Sequence, residues 1–152
     1  MKVKIKKLHP NGVIPRYAKD GDAGMDLVAI SKRFDENGCV VYGTGLAFEI
    51  PKGYVGLIFP RSSVSKCAIS MANCVGVIDS GYRGEVTVKF RPMDSFEYGL
   101  TKESRKNYKF CYEVLERVAQ LIIMPYPHID FVEVEELSET ERADGGFGST
   151  GK

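Results

Sequence analysis

The chain has no tryptophan and only two histidines, His9 and His128, among its 152 residues. Each histidine stands next to a proline, so no H-x-x-x-H metal pair exists and no serine triad or Cys–His nucleophile can be assembled. The four cysteines (Cys39, Cys67, Cys74 and Cys111) form no C-x-x-C. That removes zinc ribbons, thioredoxin-type redox chemistry and c-type haem, and leaves reduced, buried small hydrophobes as the expectation for these thiols. An excess of either charge is also missing. Twenty-one basic and twenty acidic residues leave a net charge of +1, against the one-sided basic surface of a dedicated DNA- or RNA-binding domain. Apolar runs are short, Leu121 to Met124 being typical, far below the ~18 residues of a membrane span. The lysine-rich start, Met1 to Lys7, leads into no apolar h-region, so neither a secretory leader nor a membrane partner is expected and the compartment is read as cytoplasmic. Any chemistry must then come from carboxylates, backbone amides or a hard metal.

The length suits one domain, and 43% hydrophobic residues suffice for a core without staples. Sixteen glycines and seven prolines break the chain at short intervals, leaving no room for long helices. Between the breaks apolar residues alternate: Val3 and Ile5, then Val86, Val88 and Phe90, then Phe131, Val132 and Val134. Cys39–Tyr42, Gly45–Ile50, Tyr54–Phe59 and Val118–Met124 are more continuously apolar, as strands buried on both faces would be. Many short strands with frequent turns imply an all-β sandwich or barrel. Only residues 62–72 have a helical look, with Ser62 or Ser63 as N-cap before Val64, Cys67 and Ala68. Residues 1–136 form the expected β-barrel domain, with a polar, mixed-charge surface insertion at about 93–107. From Leu137 the composition no longer supports a core, which implies a flexible C-terminal arm over 137–152.

Four segments could carry chemistry, and each also has a purely structural reading. Gly146 to Lys152 fits the G-x-x-x-x-G-K pattern, but no helix follows to complete a P-loop; the tail is either disordered or orders on a ligand. Gly76-Val-Ile-Asp79-Ser-Gly-Tyr82-Arg-Gly84 leads two apolar residues into an aspartate, and Asp-Ser-Gly is also an ordinary turn. Pro60-Arg61-Ser62-Ser63 suits phosphate oxygens or plain N-capping. Asp26, in Ala23-Gly-Met-Asp-Leu27, is a strand-end carboxylate or a hard-metal ligand.

Taken together, AGMDL (23–27), PRSS (60–63), GVIDSGYRGEV (76–86), ERVAQLI (116–122) and RADGGFGSTG (142–151) resemble, in order and spacing, the five motifs of the trimeric dUTP diphosphatases. The resemblance implies a distorted jelly-roll β-barrel with one short helix, a homotrimer with sites shared between subunits, and Mg²⁺-dependent hydrolysis of dUTP to dUMP and pyrophosphate. Such an activity limits uracil incorporation into DNA and supplies dUMP for thymidylate synthesis. By the same resemblance, Asp79 is the general base for the attacking water and Asp26 helps place the metal through bound water. Arg61, Ser62, Ser63 and Gln120 lie at the phosphates. Asn73 and the backbone of Gly76, Val77, Ile78 and Asp79 read uracil, and Tyr82 packs under the sugar against a 2′-hydroxyl. Phe147 covers the base while Arg142, Gly148, Ser149 and Thr150 surround the outer phosphates.

Several positions depart from the family pattern. Leu115-Glu116 replaces Gly-Asp, Gly81 a frequent aspartate and Ser63 a frequent glycine, and the 93–107 insertion is longer than the usual link. Two rival readings follow. The dCTP deaminase branch shares the R-S-S start and an I-D-x-G-aromatic hairpin, but has a proton-transferring glutamate where this chain has Lys89. The other rival is a nucleotide-responsive regulatory module that uses 93–107 as its protein-partner surface.

Overall fold

A computed structural model describes residues 1–93 and 112–146. Among these residues there are ten strands: β1 (Lys4–Lys7), β2 (Met25–Val28), β3 (Ser31–Phe34), β4 (Val40–Gly43), β5 (Leu46–Glu49), β6 (Tyr54–Pro60), β7 (Ile69–Met71), β8 (Gly76–Ile78), β9 (Thr87–Pro92) and β10 (Arg117–Pro125). One 3₁₀ turn (Ser62–Lys66) lies between β6 and β7. The fold is all-β and antiparallel, as the short alternating runs imply. One four-stranded sheet has the order β2-β10-β6-β8 and a second has β3-β4-β9-β7, while β1 and β5 form a two-stranded ribbon.

One hydrophobic core takes residues from every sheet, including Leu27, Val40, Tyr42, Phe48, Ile58, Val88, Phe90, Val118 and Leu121. The alternation in β9 is realised in full, with Val88 and Phe90 buried and Thr87, Lys89 and Arg91 exposed. β4 is buried throughout, as its continuous apolar run suggests. Tyr42, Phe90 and Tyr112 pack edge-on or tilted, at centroid separations of 5.7 to 6.4 Å. The Tyr42 hydroxyl donates to the Tyr112 carbonyl at 2.7 Å, and burial pushes its pKa upward.

Three sequence expectations fail. The segment from Phe131 to Val134 is not a strand: it has no partner strand in the described residues, and Phe131 is 95% exposed. The helical stretch over 62–72 shrinks to the 3₁₀ turn. Arg61 rather than a serine holds the cap position, and no side chain caps it. The chain is extended again at Cys67 because Ile69 and Met71, two apart, bury against β9 in the register Ile69↔Pro92, Met71↔Phe90. The cysteines also diverge: Cys39 is buried and free, Cys74 is exposed and free, and Cys67 is disulfide-bonded. Most of the 93–107 insertion lies outside the described residues. No helix in the described part is long and apolar enough to cross a membrane.

Asp35, in the turn between β3 and β4, accepts from the backbone N–H groups of Asn37 (3.0 Å) and Cys39 (2.9 Å) and pairs with Lys89 at 2.9 Å. The Lys89 contact is the main reason that the Asp35 carboxyl lies below its ordinary value of 3.8. A depressed folded-state value means that the stabilisation is present above the unfolded value and is lost as pH falls through the folded one. Asp35→Ala is therefore expected to melt a few degrees lower than the parent at pH 7. The gap should close as pH is lowered below the ordinary carboxylate range; a gap independent of pH would rule this origin out.

Candidate active site

The longest strand, β10, sets the first cluster. It pairs with β2 on one side (Gln120↔Asp26) and with β6 on the other (Gln120↔Phe59), which puts Asp26, Gln120 and the end of β6 in one row across the sheet. Arg61 follows β6 and turns back on that row. Its Nε donates to Asp26 Oδ1 at 2.7 Å, and Arg117 Nη1 donates to Asp26 Oδ2 at 3.3 Å. Gln120 donates its amide to the Pro60 carbonyl at 3.1 Å. Its Oε1 lies so near Gly24 that a β-carbon there would stand 2.9 Å away, so the glycine admits the glutamine side chain. Arg16, Asp22, Gly24, Asp26, Arg61, Ser62 and Gln120 line a cleft of about 460 Å³. Two guanidinium groups on one carboxylate leave the row with surplus positive charge, a suitable surface for phosphate oxygens.

The second cluster lies at the other edge of the sheet. β8 pairs with β6 through Gly56↔Ile78, Leu57↔Val77 and Ile58↔Gly76, and Asn73 approaches Gly76 on the connection before it. After β8, the Tyr82 N–H donates to the Asp79 carbonyl at 3.0 Å, which closes a turn. Arg83 donates to the carbonyls of Ser80 (2.7 Å) and Tyr82 (2.8 Å). Asp79 is exposed at the mouth of this turn.

The predicted site residues thus fall into two groups. Asp26, Arg61, Ser62 and Gln120 come together, and Asn73, Gly76, Val77, Ile78, Asp79 and Tyr82 come together. β8 ends with Ile78 opposite Gly56, and continuing that register puts Asp79 level with Val55, six residues before Arg61, or roughly 20 Å along a strand. Ser63 bonds Tyr112 at 2.9 Å through its hydroxyl, so it is engaged with the barrel and not with the cleft. Arg142 is exposed and donates to the Gly145 carbonyl at 3.0 Å. Phe147, Gly148, Ser149 and Thr150 lie outside the described residues. Arg117 stands in the sequence only as part of a motif, and its pairing with Asp26 depends on the β2–β10 register, which no local pattern reveals. Arg16 and Asp22, also on the cleft, carry no motif signal at all.

The described residues contain no cluster of three or more His, Cys, Asp or Glu able to cage a metal. Both oxygens of Asp26 already take guanidinium donors. Such a donor set suits an ion held chiefly by phosphate oxygens and water, the usual mode for Mg²⁺, and not one caged by protein ligands. Where the deaminase branch has a glutamate, Lys89 is paired with Asp35.

The family model described as dUTPase matches residues 11–151. The deoxyuridine 5′-triphosphate nucleotidohydrolase of Nautilia profundicola is 44% identical over all of both chains. That of Alkaliphilus metalliredigens is 40% identical over 98% of this chain and 96% of its own length. Among solved structures, the dUTPase of Staphylococcus bacteriophage 80alpha with dUPNHPP superposes with a TM-score of 0.79 at 28% identity, covering 99% of each chain.

Proposed function

The chain belongs to the dUTPase family and hydrolyses dUTP, and on that premise we propose that Asp79 is the general base of a site assembled between copies of the chain. The observation that carries the sharing is the placement of the two clusters. By the β6–β8 register the hairpin lies roughly 20 Å along the sheet from Arg61, a separation that supports a site in which the hairpin of one copy meets the Asp26–Arg61–Gln120 row of another. The exposed apolar residues after β10, Phe131, Val132 and Leu137 among them, support the same assembly, because a second copy would cover them. A homotrimer is the form we assign, with 1–136 as barrel and 137–152 as the closing arm.

In this site Asp79 holds a water and takes its proton as the water oxygen attacks the α-phosphorus, and pyrophosphate departs. Arg61 binds the phosphate oxygens and carries their growing charge, with Ser62 and Gln120 beside it. Members of this family typically use Mg²⁺, which would polarise the phosphate and neutralise part of its charge when bound with the nucleotide. Asp26, fixed by Arg61 and Arg117, would hold such an ion through bound water. Asn73 and the β8 backbone present one donor–acceptor pattern to uracil and leave cytosine's reversed groups unpaired. Tyr82 closes the sugar side against a 2′-hydroxyl, and Arg142, Phe147, Gly148, Ser149 and Thr150 belong to the closing arm.

Pyrophosphate release with Mg²⁺ and, separately, dUTP, UTP, dTTP and dCTP tests these assignments. Release from dUTP alone is expected. Comparable release from dCTP would contradict the hairpin's role, and from UTP that of Tyr82.

A further inference from the structure

Tyr82 is 44% exposed, yet the hydroxyl end of its ring is held by two neighbours. The hydroxyl donates to the Glu85 carbonyl at 3.0 Å. The ring lies over Gly84, where an added β-carbon would stand 2.6 Å from Cζ and 3.0 Å from Cε2. Both distances are inside van der Waals contact, so ring and side chain cannot occupy that space together. Glu85 is itself fixed: its carboxylate accepts from the Gly45 N–H at 2.7 Å, in the turn between β4 and β5. That turn is tied to the strand start beyond Glu85, since the buried Thr44 donates its hydroxyl to the Val86 carbonyl at 2.7 Å and the Val86 N–H donates to the Leu46 carbonyl at 2.9 Å.

We propose that Gly84 and Glu85 are positioning residues that set the preference for deoxyribose, by holding the Tyr82 ring where a 2′-hydroxyl would have to fit. The proposal rests on the reading of Tyr82 as the residue beneath the sugar. Gly84 acts by lacking a side chain, and Glu85 by linking the carbonyl that holds the hydroxyl to the barrel's buried turn. The backbone at Gly84 is not in the left-handed region, so alanine can adopt it. What must give way is the outer end of an exposed tyrosine, not the core.

Gly84→Ala is expected to lower the ratio of kcat/KM for dUTP over UTP by roughly 10- to 100-fold, the scale of a lost steric contact in a pocket. The fall should come from faster UTP hydrolysis at a near-parental melting temperature, a gain that a damaged fold would not produce. Glu85→Ala should shift the ratio in the same direction, and Glu85→Gln, which keeps an acceptor for the Gly45 N–H, should restore it. Tyr82→Ala separates the two layers. If it lowers the ratio while Gly84→Ala and Glu85→Ala leave it at the parental value, the positioning role is overturned and the reading of Tyr82 stands. If Tyr82→Ala itself leaves the ratio unmoved, the reading falls and takes the proposal with it. Should Gly84→Ala fold poorly, the Glu85 pair decides alone.

Discussion

Asp79→Asn should bind a non-hydrolysable dUTP analogue almost as the parent does, while turnover of dUTP falls at least ~100-fold, the contribution expected of a positioned general base. Asparagine keeps the size of the side chain and can still hold a water, but it cannot take the proton. The variant should fold normally, because Asp79 is exposed and the turn it begins is closed by main-chain and Arg83 contacts. Isothermal titration beside a pyrophosphate assay reads both halves. Near-normal turnover would remove Asp79 from the base's role, and lost binding would make it a substrate ligand instead.

Arg61→Ala is expected to cost roughly 100- to 1000-fold in kcat/KM, the range seen when one donor to a developing oxyanion is removed. The loss has two sources. A cation leaves the phosphate surface, and Asp26 keeps only the longer contact with Arg117, whose side chain is 57% exposed. Arg61→Lys should recover little of this, because a single ammonium cannot reproduce a guanidinium that engages Asp26 through Nε and still presents its other donors. A parental melting curve together with the kinetic loss would locate the effect in the site. An Arg61→Ala enzyme with parental kcat/KM would remove the row from phosphate binding.

The central strands were legible in the sequence because their burial patterns follow their side-chain faces. β9 shows its alternation because one face is buried and the other exposed, and β4 shows a continuous apolar run because it is buried on both faces. The Phe131–Val134 alternation looks the same on paper, but a strand pattern does not name its partner, and none of the described residues supplies one. The helical reading at 62–72 failed for a different reason. Local spacing favoured a helix, but burial of Ile69 and Met71 against β9 outweighed it, as tertiary packing commonly does over propensity.

The candidate site was legible as a set of motifs, not as a geometry. Asp26, Arg61 and Gln120 are far apart in sequence, and the β2–β10–β6 register brings them into one row. That Asp79 stands apart from this row depends on the β6–β8 register, which residue spacing does not encode. Gly84 lay inside a motif yet gave no sign of the ring above it. A glycine's absent side chain acquires meaning only once the neighbouring atoms are placed.

The sharing of sites between copies is tested most directly by combining two crippled chains. Asp79→Asn and Arg61→Ala proteins, each nearly inactive alone, are refolded together in equal amounts and assayed with dUTP. If the hairpin of one copy serves the arginine row of the next, mixed assemblies regain intact sites, about a quarter of all sites for random mixing in a closed ring. A mixture no more active than its two components measured separately would contradict a shared site and place Asp79 and Arg61 in the service of one chain's own substrate.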